Sequence, residues 1–402
     1  MTAPAFEPES RRARILVLVA IVLLALNLRV AVGSLGVLLP AVRGDLEMST
    51  TIAGVLTTLP VLCFAFFGAT TNSLVRKVGL HRTAALTLAL IAVGLVIRSM
   101  VESQAVFIIA SAAALAGGAV GNVILPPLAK LHFPRRLSTV SALYGASIMA
   151  GGAVSSLFSV PLSDAGNGWR AGLASWAVLA GLTLIPWLGL LRHDVKTANG
   201  PASRYTVGVV ARSPIAWVMG LFFGAQAAQA YAQFGWLSEI YIDAGLSDTA
   251  AANMLSIIPT IGIPLTLALP YIMARVGERP FLPWSFGVLT IGGWLGVMLA
   301  PTTMPWLWAT MLGLGGAAFT WILAMIGHRS RTPDGTSALS SFVQGLGYVC
   351  AAVGPFGTGF LHDLTGSWNP PLIGLCLLAV LIIVLGTIVC RPQNFEDTLR
   401  GS

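Results

Sequence analysis

The sequence predicts an all-α membrane protein whose twelve transmembrane helices form two six-helix bundles, and three observations support this fold class. Of its 402 residues, 56% are hydrophobic and only 9% are charged, whereas a soluble domain carries about 25% charged residues. The apolar residues come in blocks of about twenty, the length at which a helix crosses a hydrocarbon core about 30 Å thick. The two halves of the chain also repeat the same short motifs in the same order.

Each predicted helix is an apolar block bounded by charged or turn-forming residues. The blocks are continuous, whereas the strands of a membrane barrel alternate apolar and polar residues. We therefore predict helices, which pair their backbone N–H and C=O groups within each span. In chain order, the predicted spans are 15–39, 51–75, 83–100, 105–129, 137–161, 169–190, 213–237, 249–273, 280–300, 304–326, 336–361 and 369–390.

Basic residues set the expected orientation of these helices. If the N-terminus is cytoplasmic, 19 of the 23 Lys and Arg residues lie in cytoplasmic segments, three (Arg43, Arg98 and Arg170) lie outside, and Arg29 lies within a span. Because Lys and Arg are retained on the cytoplasmic side during insertion, we expect a multi-pass protein of the bacterial inner (plasma) membrane with both termini in the cytoplasm. The net charge of +8 then reflects topology, and no nucleic-acid partner is expected.

Short motifs recur in the two halves at offsets of 196–199 residues. Six pairs in the same order indicate a duplicated six-helix unit rather than chance similarity. The paired motifs are Asp45–Ser49 with Asp243–Ser247, Pro60 with Pro259, Lys77–Gly79 with Arg275–Gly277, Gly117–Ala119 with Gly315–Ala317, Ser141–Leu143 with Ser337–Leu339, and Asp164–Trp169 with Asp363–Trp368.

The duplication predicts the domain organisation. Because six is an even number, the two copies have the same orientation and are related by an axis along the membrane normal. The segment 191–212 is polar and contains Gly and Pro. We therefore expect residues 1–190 to form an N-terminal six-helix bundle, 191–212 a cytoplasmic linker and 213–402 a C-terminal six-helix bundle.

Two facing bundles of six helices are typical of transporters, whose substrate site lies between the halves and opens alternately to each side of the membrane. A membrane scaffold that transports nothing is the alternative. An enzyme is not expected, because the chain has no HExxH motif and no Gly-rich phosphate loop between a strand and a helix. We expect no cofactor and no metal, and a monomer whose partners are the lipid bilayer and a small-molecule substrate.

Several motifs carry a family resemblance: Asn27-Leu28-Arg29, Leu56–Pro60, Leu125–Pro127 and Trp236–Tyr241. These segments resemble the major facilitator superfamily, and within it the cyanate-permease and nitroimidazole-transporter (CynX/NimT) group. The superfamily's loop motif between spans two and three is degenerate here, since Arg76 stands at the position of its Asp. The resemblance implies transport of small anions, such as cyanate, or of small nitrogenous heteroaromatic solutes.

Arg29 is the leading candidate for substrate binding. It lies in the middle of the first span and is the only Lys, Arg, Asp or Glu predicted near mid-membrane. A central Arg disfavours insertion by roughly 2.5–3.5 kcal/mol, so its guanidinium needs protein acceptors or a wet cavity. A guanidinium suits bidentate recognition of oxygen atoms, which favours an anionic or strongly dipolar substrate. The alternative is that Arg29 binds helix carbonyls and only ties helices together.

Amide side chains in spans one and seven are further candidates. Gln226, Gln229 and Gln233 follow an i, i+3, i+7 pattern and share one helical face. At the repeat offset, Asn27 corresponds to Gln226. These amides offer donors and acceptors without charge, which suits a small polar solute, with Asn27, Gln226 and Gln229 the stronger candidates. The alternative is hydrogen bonding between helices.

Five more residues complete the predicted site. Gln344 and Tyr348 are four residues apart and share a face of span eleven, and Tyr144 occupies the corresponding region of span five. Asn122 in span four and Trp321 in span ten lie at similar depth. Aromatic rings beside polar groups could sandwich a flat solute. The alternative is that these side chains only pack the helices or anchor them at the interface.

The distribution of acidic residues bears on energy coupling. No carboxylate is predicted at mid-depth, and Glu239, near the outer end of span seven, comes closest. Proton-coupled carriers usually hold a titratable group within the core. We therefore predict facilitated diffusion, or coupling through a protonatable substrate, and keep a proton-driven drug or metabolite exporter of the same fold as the alternative.

Overall fold

The computed structural model describes residues 11–166, 168–191, 207–277 and 279–398, and within these ranges the regular elements are helices without any strand. This confirms the predicted all-α fold class. The N-terminal half contains α1 (Arg11–Asp45), α2 (Thr50–Val78), α3 (Leu80–Met100), α4 (Gln104–His132), a 3₁₀ turn (Pro134–Arg136), α5 (Leu137–Ala165) and α6 (Trp169–Leu190).

The C-terminal half has the same order of spans, two of which are divided. Its helices are α7 (Val207–Val210), α8 (Pro214–Asp243), α9 (Asp248–Val276), α10 (Phe281–Leu299), α11 (Pro305–Gly315), α12 (Ala318–His328), α13 (Pro333–Ala351), α14 (Val353–Thr365), α15 (Asn369–Val389) and α16 (Phe395–Thr398). The tenth predicted span is thus α11 and α12, separated at Gly316 and Ala317, and the eleventh is α13 and α14, separated at Ala352.

Eleven helical segments in the described ranges are long and apolar enough to cross a membrane, counting Pro305–His328 and Gly335–Thr365 as one segment each. The remaining predicted span is α8, a continuous helix of 30 residues. Its three glutamines and Glu239 keep the hydropathy of every 18-residue stretch below that of the other spans, although 30 residues are enough to cross a membrane. The described helices therefore account for all twelve predicted spans.

The helices α2 and α9 begin in the same way, as the repeat predicts. Ser49 precedes α2 and accepts a hydrogen bond from the backbone N–H of Ile52 at 3.2 Å. Ser247 precedes α9 and accepts one from Ala250 at 3.3 Å. A serine in this N-cap position satisfies an N–H group that the first helical turn would leave unpaired.

The two halves also share one contact at the starts of α6 and α15. In the N-terminal half, Arg170 donates to Asp45 at 2.7 Å. In the C-terminal half, Trp368 donates through Nε1 to Asp243 at 2.8 Å. Both bonds join residues 125 positions apart, and both acceptors belong to the duplicated Asp motif. The sequence repeat therefore corresponds to a structural repeat.

One end of the molecule carries the turns 46–49 and 244–247, and we call it the Glu239 side. At this side the two halves are joined by polar contacts. Arg43 of α1 forms an ion pair with Glu239 of α8. Thr51 of α2 donates both its backbone N–H, at 2.6 Å, and its hydroxyl to the carboxylate of Asp363 on α14. These contacts close the interface between the halves at the Glu239 side.

The helices α1 and α8 also approach each other closely near this side. A methyl group on Gly36 would overlap the carbonyl oxygen of Phe234, so this crossing requires a residue without a side chain. Small residues allow such close helix packing in membrane proteins. Further from the Glu239 side, α5 packs against α9 and α2 packs against α13, and the space between these pairs contains the candidate site.

The predicted linker 191–212 falls largely outside the described residues, which resume at residue 207. Its described end includes the short helix α7 and Ala211, whose carbonyl accepts a hydrogen bond from Nε1 of Trp217 on α8 at 2.8 Å. The domain boundaries therefore stay a prediction.

The duplicated caps give a paired stability test. Ser49→Ala and Ser247→Ala should each lower the stability of the protein by about 1 kcal/mol, because each leaves one backbone N–H unpaired. The apparent melting temperature of the purified protein in detergent measures the effect. Ser49→Asp and Ser247→Asp are the controls, since Asp caps a helix as well as Ser does. If the Ala variants melted like the Asp variants, the caps would have no role in stability.

Candidate functional site

The candidate site is a cavity between the two halves. The N-terminal half contributes Arg29 from α1 and Met149 from α5, and the C-terminal half contributes residues of α8, α9, α11, α12 and α13. Arg29 precedes Arg43 by 14 residues on one continuous helix, about 21 Å along its axis, so the cavity lies deep below the contacts at the Glu239 side. Its volume is about 80 Å³, on a scale on which one water needs about 10–15 Å³. The cavity therefore accommodates a small solute.

The guanidinium of Arg29 lies against two aromatic rings of the opposite half. Its Nη1 donates to the hydroxyl of Tyr231 at 3.3 Å, and its Cζ is 5.4 Å from the ring centroid of Tyr231 and 6.0 Å from that of Phe234. These distances are in the range of cation–π contacts. No Asp or Glu in the described ranges pairs with Arg29. Most of its five N–H donors are thus available to a solute in the cavity.

The three glutamines of α8 divide between two environments. Gln226 and Gln233 line the cavity, whereas Gln229 does not. Gln229 donates to the carbonyl of Leu375 at 2.6 Å and accepts from Nε1 of Trp294 at 2.6 Å, so it joins α8 to α10 and α15. At about 100° per residue, Gln233 lies about 20° from Gln226 around the helix axis and Gln229 about 60°. The three glutamines therefore spread over about 60° of the helix surface. This is wide enough for Gln226 and Gln233 to face the cavity while Gln229 faces the bundle.

Asn27 lies two residues before Arg29 and points away from the cavity. Its Nδ2 donates to the carbonyl of Leu23 at 2.8 Å and to Oγ1 of Thr183 on α6 at 3.0 Å. The side chain is fully buried within the N-terminal half. Two residues on a helix differ by about 200° in direction, which explains why the two neighbours in the Asn-Leu-Arg motif face opposite sides of α1.

Among the predicted aromatic candidates, Tyr348 lines the cavity. Its ring stacks on Phe64 with centroids 5.0 Å apart and an interplanar angle of 21°. Trp321 instead packs inside the C-terminal half, 5.2 Å from Phe222 and 6.5 Å from Phe286 between ring centroids. Tyr348 thus gives the cavity an aromatic wall, whereas Trp321 is placed to pack the bundle.

The remaining predicted residues are not among those that line the cavity: Tyr144, Asn122 and Gln344. The amide of Gln344 donates to Oγ of Ser340 at 2.8 Å, within its own helix. The structure thus brings Arg29, Gln226 and Tyr348 of the predicted set together, and it adds residues that the sequence analysis did not select. Tyr231 and Phe234 are the most important additions, because they contact Arg29.

Two charged residues have surroundings that the sequence did not indicate. Arg98 was expected at the outer end of span three, but its guanidinium is fully buried and donates to the carbonyl of Ala31 at 3.2 Å and to Oγ of Ser34 at 3.0 Å. Glu239 is buried and paired with Arg43. The partners of both lie on other helices, so no local pattern identifies them.

The chain between α11 and α12 forms part of the cavity wall. Gly313, Gly316 and Ala317 line the cavity, and the carbonyl oxygen of Gly316 accepts a hydrogen bond from Nε2 of Gln226 at 3.1 Å. The corresponding motif of the N-terminal half, Gly117–Ala119, lies within the continuous helix α4. The break in the tenth span is therefore specific to the C-terminal half.

The comparisons with known proteins agree with this architecture. Residues 17–355 match the Major Facilitator Superfamily. The 2-nitroimidazole transporter of Escherichia coli (strain K12) is 32% identical over 391 residues, which cover 96% of this chain and 98% of that protein. The cyanate transport protein CynX of the same organism is 30% identical over 373 residues, which cover 92% of this chain and 96% of that protein. These similarities confirm the resemblance found in the sequence.

Solved structures show the same fold. The crystal structure of a bacterial homologue of the human lysosomal transporter Spinster, in an inward-facing and unoccupied conformation, matches with a TM-score of 0.81. The match covers 97% of this chain and 99% of that chain at 13% identity. At this identity the similarity concerns the fold alone.

The contact between Trp294 and Gln229 predicts a structural role for this glutamine. Trp294→Phe removes the N–H donor and leaves Oε1 of Gln229 buried without a partner, so stability should fall by about 1–3 kcal/mol. Trp187→Phe is the matched control, because Trp187 is equally buried and its Nε1 has no hydrogen-bond partner among the described residues. The apparent melting temperatures of the two variants should differ. Equal melting temperatures would contradict this role.

Proposed function

The chain belongs to the Major Facilitator Superfamily, and on this premise we propose that it carries a small anion or a small nitrogenous heteroaromatic solute by alternating access through the cavity. The position of Arg29 is the observation that supports this proposal most directly. Its guanidinium borders the cavity without a carboxylate partner in the described ranges, and it contacts rings of the opposite half. An acceptor group of a solute would complete its coordination.

The contacts of Arg29 favour recognition over a purely structural role. A guanidinium that only tied helices together would donate to backbone carbonyls, as Arg98 does. Arg29 instead donates to the hydroxyl of Tyr231. Burying a charge near mid-membrane is costly unless the charge finds partners, and the cavity leaves this cost partly uncompensated until an oxygen-bearing or nitrogen-bearing solute binds.

The solutes in the names of the two relatives suit the chemistry of the cavity. Cyanate is a small anion, and 2-nitroimidazole is a flat heteroaromatic whose nitro oxygens can accept the two parallel N–H bonds of a guanidinium. The rings of Tyr231, Phe234 and Tyr348 offer surfaces on which a flat solute can pack. We propose that the substrate of this chain belongs to one of these two classes.

The closed interface at the Glu239 side supports alternating access. The halves are joined at the Glu239 side by the Arg43–Glu239 and Thr51–Asp363 contacts. The distribution of Lys and Arg supports a topology in which this side faces outward and both termini are cytoplasmic. We propose that the structure is the state closed to the outside, and that these contacts break when the cavity opens outward.

The residues that line the cavity bear on coupling and on the rival function. Within the described ranges they include no Asp, Glu, Lys or His. This supports facilitated diffusion, or coupling through a protonatable substrate, over the proton-driven exporter, since proton relays in membranes use buried ionisable groups and the buried carboxylate of Glu239 is paired with Arg43 away from the cavity. We further propose that the protein is a monomer of the bacterial plasma membrane without enzymatic activity, and that its partners are the bilayer and the solute.

Substitution of Arg29 tests the proposed site. Arg29→Gln should weaken binding of cyanate or of 2-nitroimidazole by about 10- to 150-fold, because a hydrogen bond to a charged group contributes about 1.5–3 kcal/mol. Arg29→Lys should keep part of the binding to an anion, because it keeps the charge but loses the bidentate geometry. Binding is measured by the ligand-dependent rise in melting temperature, and transport by uptake into proteoliposomes.

Arg170→Gln is the control for these variants, because Arg170 lies in an exposed ion pair with Asp45 within the N-terminal half. It should bind and transport as the wild type does. Equal affinities of the wild-type and Arg29→Gln proteins for every solute that binds would show that Arg29 is structural, and the proposed recognition would be wrong.

The ion pair at the Glu239 side predicts a shift in conformation. Glu239→Gln removes one charge of a buried pair between the halves, which is strongly destabilising for that contact, so the population open at the Glu239 side should rise about tenfold or more. Spin labels at Glu47 and Thr365, which are exposed at this side on opposite halves, report the opening as longer distances in a background without the four native cysteines.

Asp45→Asn is the matched control for this measurement. It breaks the exposed pair between Arg170 and Asp45, which lies within one half, and it should leave the distance distribution unchanged. If Glu239→Gln gave the same distances as Asp45→Asn, the ion pair between the halves would not control closure.

A further inference from the structure

We propose that Gln226 selects the solute by accepting a hydrogen bond from it, while Arg29 binds an acceptor group of the same molecule. This inference rests on the proposed function and makes it more specific. Of the two proposed solute classes, the protein should prefer small planar heteroaromatics that carry both an acceptor substituent, such as a nitro group, and a ring N–H.

The orientation of the Gln226 amide is fixed by the break in the tenth span. Its Nε2 lies 3.1 Å from the carbonyl oxygen of Gly316, and only the amide nitrogen can donate to a carbonyl. Oε1 is therefore the free end of the side chain. No residue in the described ranges donates to it, although the side chain is 97% buried, since only 3% of Gln226 is exposed.

The amide oxygen of Gln226 can accept a hydrogen bond from a donor in the cavity, and a solute with an N–H pairs with it on binding. A solute of the same shape without a donor covers the oxygen but leaves it unpaired, and it loses affinity for this reason. Gln226 can therefore discriminate between solutes of the same size and shape.

One solute can contact both polar groups, because Arg29 and Gln226 line the same cavity. A linear anion such as cyanate has acceptor atoms only, so it can engage Arg29 but offers nothing to Oε1 of Gln226.

Gln233 offers a contrast within the same cavity. It also lines the cavity and is 3% exposed, and neither end of its amide has a hydrogen-bond partner among the described residues. Because nothing fixes its orientation, its amide can turn to present either a donor or an acceptor. Gln233 therefore should not discriminate between a solute that donates and one that accepts.

A pair of nearly isosteric probes tests the role of Gln226. 2-Nitropyrrole has a ring N–H, and 2-nitrofuran has a ring oxygen at the same position. The wild-type protein should bind 2-nitropyrrole about tenfold more tightly than 2-nitrofuran, as measured by ligand-dependent thermal stabilisation or calorimetry. In Gln226→Met this preference should fall to about twofold or less, because the acceptor is gone, whereas Gln233→Met should keep the wild-type preference.

The outcomes separate this inference from the proposed function. A wild-type protein that fails to prefer 2-nitropyrrole would overturn the inference without any variant, so the test does not depend on the folding of Gln226→Met. A preference that survives in Gln226→Met would also overturn it. If Arg29→Gln binds both probes as the wild type does, the proposed function itself fails; if Arg29→Gln loses both and the Gln226 variant keeps the preference, only the present inference fails.

Discussion

The proposed transport chemistry depends on a positive charge between the two bundles, the guanidinium of Arg29, which has no carboxylate partner in the described ranges. Arg29 belongs to α1, but its contacts are with Tyr231 and Phe234 of α8. Arg29 is half-buried, and a cation–π contact is worth about 0.5–1 kcal/mol at an exposed site and about 2 kcal/mol when desolvated, so these contacts offset part of the cost of placing the charge in the membrane. The guanidinium of Arg29 therefore stays charged without a carboxylate partner in the described ranges, and a solute that enters the cavity between the halves can bind it.

Most of the fold could be predicted because its determinants are local in the sequence. Apolar blocks give the spans, and the caps at Ser49 and Ser247 follow from a serine immediately before each helix. The repeat offset relates the contact of Asp45 with Arg170 to that of Asp243 with Trp368. In lipid, the backbone N–H and C=O groups of an apolar segment must pair with one another, so a long apolar block can be predicted to be a helix.

The side-chain geometry of the site could be predicted only in part, because its partners lie on distant helices. The sequence indicates a polar face on α8, but the position of Trp294 decides that Gln229 turns into the bundle. Arg98 has an ordinary position near a helix end, and its burial depends on acceptors from α1, the carbonyl of Ala31 and Oγ of Ser34. Helical periodicity gives the direction of a side chain around its own helix, but it does not give which residue of another helix lies in that direction.

The two halves differ at Arg29 and at the break in the tenth span that orients Gln226. At the offset of 199 that pairs Asn27 with Gln226, Arg29 corresponds to Ala228, so the second copy of the repeat has no charge at this position. The continuous helix α4 corresponds to the broken tenth span, whose Gly316 carbonyl orients Gln226. A symmetric cavity would offer the same groups from both sides. The departure from symmetry gives this cavity a donor wall and an acceptor wall, and a solute with both kinds of group can bind in one orientation only.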